Sequence, residues 1–197
     1  VDTLAAYGTI PIINGLTDLH HPCQVLADLL TIEETFGTRA GKILTYIGDG
    51  NNMAHSLMIG GALSGMEVRI CAPAAYAPDP QVVHEAQAIA KETGGNIIVM
   101  TDPKEAASGA DVVYTDVFAS MGQEEEATMR LQAFEGYQVN ADIMNQANDE
   151  AIFLHCLPAH RGEEVTADVI DGKQSVIFDQ AENRLHAQKA LLVTLLG

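Results

Sequence analysis

The chain has 197 residues, 47% of them hydrophobic, which is enough for one well-buried domain with additional segments or for two small domains. Its net charge of -17 argues against nucleic acid or an anionic membrane surface as a partner, and no apolar run approaches the ~20 residues that span a bilayer. Three cysteines without CxxC spacing predict a reducing compartment and no metal framework, so we expect a soluble protein of the cytoplasm.

The first part of the chain is predicted to contain elements that stand outside any regular alternation. After a short helix, the apolar run Ile10–Ile13 predicts a strand that comes too early to belong to the pattern that follows. The next helix is expected to be capped by Thr17 or Asp18, to carry Pro22 in its first turn and to end at Gly37.

From residue 43 onward, apolar runs alternate with helical patterns. This alternation predicts an α/β fold, with a doubly wound, Rossmann-like parallel sheet of five core strands in the order 3-2-1-4-5 and flanking helices. In that order the ligand crevice lies at the carboxyl ends of strands one, four and five. The run Ser175–Phe178 predicts a further short strand before a final helix. The predicted core strands are Ile43–Ile47, Val68–Cys71, Ile97–Met100, Val112–Thr115 and Ile152–His155.

Residues capable of chemistry follow the fifth strand, which Pro158 terminates. There a thiol, Cys156, stands next to an imidazole, His155, at the point where a buried strand emerges from the sheet. Such an arrangement suits a site for a polar small molecule at the mouth of an α/β sheet. A purely structural interpretation, a buried cysteine beside a hydrogen-bonded histidine, accounts for these two residues as well.

The loop after the first strand, residues 48–56, has part of a dinucleotide-binding fingerprint. Met53 stands where that fingerprint requires Gly or Ala, and the second strand ends at Cys71 without an acid for a ribose. A nicotinamide-binding function is therefore disfavoured. Instead, Asn51 is expected to cap the following helix, and Asn52 is expected to contact the carboxylate of a ligand.

The loop after the fourth strand begins with Asp116. A carboxylate that leaves a buried strand can receive an ammonium group through a charge-assisted hydrogen bond, and Ser120 and Gly122 add a hydroxyl and a flexible backbone. A cap or turn function of Asp116 is the structural alternative.

Two further polar groups lie on the helices outside the regular alternation. His21 and Gln24, at the start of the helix that contains Pro22, could polarise a carbonyl oxygen and fix an adjacent amide. Arg184, near the start of the last helix, could bind an anion or pair with Glu182.

Together these loops resemble the aspartate/ornithine carbamoyltransferase family and, within it, the ornithine enzymes. The resemblance covers nearly the whole chain and lies in the combination and order of motifs that are each weak alone. The matching motifs are His21-Pro22-Cys23-Gln24, Gly48-Asp49-Gly50-Asn51-Asn52 with His55-Ser56, Asp116 with Ser120-Met121-Gly122, His155-Cys156-Leu157-Pro158 with Arg161-Gly162, and Arg184.

The resemblance implies two groups of site residues. L-Ornithine would be bound by Asn52, Asp116, Ser120 and Met121. Carbamoyl phosphate would be bound by His21, Gln24, Cys156, Leu157 and Arg184. In the second group His21 would donate to the carbonyl oxygen, while Gln24 and the Leu157 carbonyl would hold the amide. His21, Gln24, Cys156 and Arg184 would be the catalytic residues.

The reaction that the resemblance implies is attack by the neutral δ-amine of ornithine on the carbamoyl carbon, giving L-citrulline and phosphate through a tetrahedral intermediate. It requires neither a metal nor an organic cofactor. We assign Cys156 the orientation of the amine or the handling of its proton, not covalent catalysis. The family forms trimers, and a homo-oligomer is therefore the implied assembly.

One family motif has no counterpart here. The family's first domain contains a Ser-Thr-Arg-Thr-Arg loop that binds the phosphate, and this sequence has no such loop. We therefore expect residues 1–38 to be a remnant of the first domain with a connecting helix, residues 39–179 to be the ornithine-binding α/β domain, and residues 180–197 to be a helix that returns to the first domain. Such a chain is expected to be inactive by itself.

Three alternatives remain open from the sequence. The chain could belong to a carbamoyltransferase for another amine, such as putrescine or an acylated ornithine. It could also be a non-catalytic domain that binds an amino acid, or a nicotinamide-dependent dehydrogenase.

Overall fold

A five-stranded, entirely parallel sheet forms the centre of the computed structural model, which describes residues 1–119 and 127–197. The strand order is β3-β2-β1-β4-β5, which confirms the predicted topology. Buried β-branched and aromatic side chains such as Val113, Tyr114 and Phe153 explain why these short runs form interior strands. The strands are β1 (Ile43–Ile47), β2 (Glu67–Cys71), β3 (Asn96–Met100), β4 (Val112–Thr115) and β5 (Ile152–His155).

Helices cover both faces of the sheet, as expected of a doubly wound fold. Side chains of α2, α3 and α4 pack with Tyr46 and Leu154 on one face, whereas α5, α7 and α8 pack with Val113 and Phe153 on the other. In the described ranges, no helix combines the length and apolar character needed to cross a membrane. The described helices are α1 (Asp2–Tyr7), α2 (Pro22–Phe36), α3 (Asn52–Leu63), α4 (Pro80–Thr93), α5 (Pro103–Ala107), α6 (Ala127–Ala133), α7 (Ala141–Met144), α8 (Ala167–Ile170) and α9 (Ile177–Leu196).

The predicted strand Ile10–Ile13 is wrong, because these residues form neither a helix nor a strand. They pair with no other strand of the described chain, and Ile10 is 69% exposed. A strand requires a partner for its backbone groups, so an apolar run alone is not sufficient to form one.

Two predicted boundaries also differ from the structure. Helix α2 has His21 as its N-cap instead of Thr17 or Asp18, because Thr17 closes a hydrogen-bonded turn with His20 just before the helix. The predicted strand Ser175–Phe178 is reduced to a single bridge between Ser175 and Phe153, since helix α9 begins at Ile177. The predictions of Pro22 in the first turn of α2 and of Gly37 at its end are confirmed.

A buried polar network connects α2 to α9 beneath the carboxyl end of the sheet. Asp28 is 0% exposed, and its Oδ1 accepts hydrogen bonds from Nε2 of Gln24 (2.9 Å) and Nε2 of Gln180 (2.7 Å). Gln180 also accepts a hydrogen bond from the backbone N–H of His155 at 2.9 Å. The two helices are thereby held to each other and to the end of β5.

Burial raises the pKa of Asp28 from its ordinary 3.8 to about 7, although hydrogen bonds from Gln24, Gln180 and Tyr114 favour the ionised form. Between pH about 4 and pH about 7 the folded chain therefore binds a proton at Asp28 that the unfolded chain has lost. Stability contributed by this site decreases as pH rises through that window.

We expect Asp28→Asn to remove this pH dependence. The free energy of unfolding can be measured by urea titration of both proteins at several pH values. Between pH about 4 and pH about 7, the variant should gain roughly 1 kcal/mol per pH unit relative to the wild type, and the difference should stay constant above pH about 7. Asp149→Asn, at an exposed carboxylate, is the control and should follow the wild type. Parallel curves for Asp28→Asn and the wild type would contradict the assignment.

Candidate active site

Asp116 and Cys156 meet at the carboxyl end of the sheet, where the predicted crevice lies. Asp116 follows β4 and Cys156 follows β5, and these two strands pair in parallel. A carboxylate oxygen of Asp116 and Sγ of Cys156 lie within 4.8 Å of each other. Oδ1 of Asp116 accepts a hydrogen bond from its neighbour Val117 (2.8 Å) and Oδ2 accepts one from Nδ2 of Asn51 (3.1 Å).

The two asparagines after β1 have different contacts. Oδ1 of Asn51 accepts from the backbone N–H of Met53 (2.9 Å) and Ala54 (3.3 Å), which makes Asn51 the predicted cap of α3. Its amide also reaches Asp116, a contact that the sequence analysis did not foresee. Nδ2 of Asn52 donates to the Thr17 carbonyl at 2.7 Å, and its second amide hydrogen has no role in that bond.

Gly50 has a structural reason to be a glycine that does not involve a dinucleotide. A Cβ atom at this position would lie 2.3 Å from the backbone nitrogen of Pro78, and the Gly50 N–H donates to the Tyr76 carbonyl at 2.8 Å. The glycine is required by the close approach of the chain that follows β2.

The environment of Cys156 keeps its thiol protonated. Burial raises the thiol pKa well above its ordinary value, and the negative charge and hydrogen bonding of Asp116 raise it further. A thiolate is the nucleophilic form of cysteine, so this thiol is a poor nucleophile and a suitable neutral hydrogen-bonding group.

His155 and Glu164 hold the backbone that follows Cys156. The Leu157 N–H donates to Nδ1 of His155 (2.8 Å), so the imidazole hydrogen resides on Nε2, which lies 3.2 Å from Oε1 of the fully buried Glu164. Oε1 of Glu164 also accepts from the backbone of His160 at 2.6 Å. These bonds support the φ of +58° at Leu157, a conformation that costs a non-glycine residue about 1 kcal/mol.

His21, Gln24 and Arg184 form a second group, where α2 faces α9. Nη1 of Arg184 donates to Oε1 of Gln24 at 2.6 Å. Glu182, the alternative partner of Arg184, has its Oε1 3.2 Å from Nε2 of His186 instead. Beside them is a cleft of about 500 Å³, and residues from both helices and from the chain before α2 surround it. Its lining consists of Ile13, Gly15, Leu16, His21, Cys23, Arg184, Gln188, Leu191 and Leu192.

His21 stands between the two groups. Burial and then the positive charge of Arg184 lower the pKa of its imidazole, while the Gly15 backbone and the charge of Asp116 act in the opposite direction. The imidazole is therefore neutral near pH 7. Its Nδ1 is buried and has no hydrogen-bond partner among the described residues.

Side chains on the first turn and a half of α3 hold the chain segment that precedes α2. Ser56 Oγ accepts from the His21 backbone at 2.7 Å. His55 lies 3.0 Å from the Leu19 carbonyl through Nδ1, and its Nε2 accepts from the Asp79 N–H at 3.0 Å, which fixes the imidazole as the neutral Nδ1–H form. The His55-Ser56 motif thus positions His21 without reaching the site itself.

The structure brings most of the sequence-predicted residues to one side of the sheet. Asp116, Cys156 and Leu157 cluster at the ends of β4 and β5, and His21, Gln24 and Arg184 cluster between α2 and α9. Asn52 lies at the start of α3 but is engaged with Thr17. The predicted residues Ser120 and Met121, and Gly122 in the same loop, lie outside the described residues.

Sequence reasoning did not single out the residues that support the site. Asp28 could have been found, since an acid four residues after Gln24, on the face of α2 that carries Val25, Leu29 and Ile32, has no reason to be buried unless it is paired. Glu164 and Gln180 gave no comparable signal, because their partners are distant in sequence or lie on the backbone.

Two groups of side chains have the composition of a metal site within the described residues. One comprises Asp116, His155 and Cys156, and the other comprises His160, Glu163 and Glu164. In the first group both ring nitrogens of His155 are engaged, by Leu157 and Glu164, so the histidine is not a free ligand.

Comparison with protein families gives two matches. The model described as "Aspartate/ornithine carbamoyltransferase, Asp/Orn binding domain" matches residues 40–195. The model described as "Aspartate/ornithine carbamoyltransferase, carbamoyl-P binding domain" matches residues 1–34. The expectation that the chain lacks most of that first domain is therefore not confirmed, and it stays a prediction.

Individual relatives agree with these family matches. The ornithine carbamoyltransferase of Symbiobacterium thermophilum is 62% identical over 194 residues, which are 98% of this chain and 63% of the relative. That of Anoxybacillus flavithermus is 61% identical over 196 residues, or 62% of its own length. This chain thus spans less than two thirds of the curated relatives it matches.

Solved structures give the same result at the level of the fold. The ornithine carbamoyltransferase from Pyrococcus furiosus superimposes with a TM-score of 0.96 at 54% identity, covering 100% of this chain and 63% of that one. The enzyme from Gloeobacter violaceus gives 0.93 at 54% identity, covering 100% and 66%. Because the first family model spans well over half of the sequence and close relatives match nearly all of it, the chain belongs to the aspartate/ornithine carbamoyltransferase family.

Proposed function

We propose that this chain contributes the amino-acid-binding half, and part of the carbamoyl-phosphate-binding half, of an ornithine carbamoyltransferase active site. The observation that carries the proposal is the meeting of Asp116 and Cys156 at the ends of adjacent strands, with His21 subject to the charges of both Asp116 and Arg184. Relatives with 61% and 62% identity that carry the name ornithine carbamoyltransferase support it.

L-Ornithine is assigned to the crevice at the ends of β1, β4 and β5. The carboxylate of Asp116 binds the α-ammonium group with help from Ser120, and the free amide hydrogen of Asn52 binds the α-carboxylate together with the backbone near Met121. The Cys156 thiol contacts the δ-amine at the far end of the side chain. The Asn51 bond to Asp116 supports these roles by fixing the carboxylate.

Carbamoyl phosphate is assigned to the cleft between α2 and α9. Neutral His21 donates to the carbonyl oxygen, Arg184 stabilises the negative charge that develops there, and Gln24 and the Leu157 carbonyl accept hydrogen bonds from the amide. The bonds from His155 and Glu164 that hold Leu157 support a fixed direction for its carbonyl.

The reaction begins with loss of a proton from the δ-ammonium group, whose pKa as a free amine is about 10.4. The nitrogen lone pair then forms a bond to the carbamoyl carbon, and the carbonyl electrons move onto oxygen beside His21 and Arg184. Collapse of this intermediate breaks the carbon–oxygen bond to phosphate, which leaves with the electron pair, and the nitrogen gives up one more proton. The protonated thiol of Cys156 orients the amine and forms no bond to carbon.

Further features of the family remain proposals for this chain. A homo-oligomer fits the apolar side chains that α9 exposes, since patches of this kind commonly mark contact surfaces. They include Phe178, Leu185, Leu192, Val193 and Leu196. We also propose a cytoplasmic protein that acts without a metal or an organic cofactor and without nucleic acid or membrane partners.

The choice of amino acid can be tested by calorimetry with L-ornithine, Nα-acetylornithine and putrescine. We expect L-ornithine to bind most tightly, because Asp116 needs a free α-ammonium group. Asp116→Asn should weaken ornithine binding about tenfold or more, through loss of a charge-assisted hydrogen bond. Asp149→Asn, at an exposed carboxylate, is the matched control. Tighter binding of putrescine or acetylornithine would favour a carbamoyltransferase for that amine instead.

The role of Cys156 can be tested by mass spectrometry after incubation with carbamoyl phosphate. We expect no carbamoyl group on Cys156, because its thiol stays protonated. The Cys156→Ala chain, treated identically, accounts for modification of lysines. Isolation of a carbamoyl thioester on Cys156 would show that catalysis is covalent.

The activity of the 197-residue chain is a separate prediction. Because its sequence has no Ser-Thr-Arg-Thr-Arg phosphate-binding loop, we expect little or no citrulline from the purified chain with both substrates present. Substantial citrulline formation would show that this chain binds the phosphate by other residues.

A further inference from the structure

The side-chain amide of Gln24 contacts a hydrogen-bond acceptor through its nitrogen and a hydrogen-bond donor through its oxygen. Its Nε2 donates to Oδ1 of Asp28 at 2.9 Å, and its Oε1 accepts from Arg184 at 2.6 Å. A carboxylate oxygen of this kind accepts hydrogen bonds and a guanidinium group only donates them. The chemistry of the two neighbours therefore permits one orientation of the Gln24 amide and excludes the flipped one.

Asp28 is itself fixed from a second direction. Nε2 of Gln180 donates to the same Oδ1 at 2.7 Å and to the Tyr114 hydroxyl at 3.0 Å, while Oε1 of Gln180 accepts from the His155 backbone. Asp28 is fully buried, so water cannot replace any of these partners without disturbing the core. Both glutamine amides therefore donate to one oxygen of Asp28, while its other oxygen, Oδ2, is buried without a hydrogen-bond partner among the described residues.

The consequence concerns which kind of group the site presents to a ligand. With Nε2 turned toward Asp28, the oxygen of Gln24 faces Arg184, whose side chain lines the cleft together with His21. An amide oxygen accepts hydrogen bonds and cannot donate them. A ligand group beside it can give this oxygen a second hydrogen bond, in addition to that from Arg184, only if the group carries a donor such as an N–H; a methyl group or an acceptor oxygen cannot.

We propose that Asp28 is a positioning residue that fixes Gln24 as a hydrogen-bond acceptor and thereby makes the cleft selective for acyl phosphates that carry an amide, against those that carry a methyl group. The proposal rests on the proposed function, because it takes the cleft beside His21 and Arg184 as the carbamoyl phosphate site. Asp28 touches no substrate in this role and acts only through Gln24.

The orientation of Gln24 can be measured in the wild-type chain without any ligand. Because the Gln24 and Gln180 amides donate to the same oxygen, we expect nuclear Overhauser effects between their side-chain amide hydrogens in NMR spectra of the 197-residue chain. Absence of these effects, with the Gln24 amide hydrogens instead near the cleft, would overturn the proposal even if no variant folds.

The selectivity can be measured with two phosphonates that differ in one group. Phosphonoacetamide carries the amide, and 2-oxopropylphosphonate has a methyl group in its place. Since both carry the same phosphonate, the ratio of their dissociation constants is independent of how strongly the chain binds phosphate. We expect the wild type to prefer the amide about fivefold to tenfold in NMR titrations.

Three variants separate positioning from general stability. Asp28→Asn keeps an oxygen toward both glutamines and should retain the preference. Asp28→Ala removes one of the two groups that fix the Gln24 amide, leaving only the contact with Arg184, and should lower the ratio by at least half. Thr31→Val is the matched control: it removes a buried hydroxyl on α2 that accepts from Asn183 at 3.0 Å, and it should lower stability without changing the ratio.

The outcomes for this proposal differ from those for the proposed function. Equal binding of the two phosphonates by the wild type, or an unchanged preference in folded Asp28→Ala, would overturn the role of Asp28. If neither phosphonate binds while the amide contact between Gln24 and Gln180 is present, the orientation by Asp28 stands and the assignment of the cleft to carbamoyl phosphate fails.

Discussion

The parallel pairing of β1 with β4 at the centre of the sheet is the constraint on which the site depends. The chain order reverses at this pair, so the loops that follow the two strands diverge to opposite faces and leave a crevice between them. Asn51 and Asp116 leave the sheet on either side of that crevice, and they are joined there by a hydrogen bond of 3.1 Å. Cys156 joins them because β5 is the next neighbour of β4.

A second constraint brings the helices outside the alternation to this crevice. Packing of α2 against α9 would place Gln24 near Arg184, but apolar packing alone does not determine which end of an amide faces a ligand. The buried carboxylate of Asp28 does so, at the cost of desolvation that raises its pKa. Since the same network reaches the backbone of His155, hydrogen bonds connect the cleft between α2 and α9 to the end of β5.

Many side chains around the site form hydrogen bonds to backbone groups and so position the chain. His55, Ser56 and Asn52 bind the segment before α2, and His155 with Glu164 binds the residue after Cys156. A sequence motif of a family can contain both residues that touch the substrate and residues that only position other residues. The contacts separate the two kinds here, because a histidine whose two nitrogens are both engaged by protein atoms has none left for a ligand.

The sequence by itself determined the order and direction of the strands, since buried apolar runs separated by helical patterns have few ways to be connected with right-handed crossovers. It also determined which loops carry polar groups to the carboxyl edge. Tertiary structure alone decided that Ile10–Ile13 is not a strand, that α9 begins at Ile177, and that Asp28 orients Gln24. These features depend on partners far away in the chain, such as Gln180 for Asp28, and a local pattern of residues contains no information about such partners.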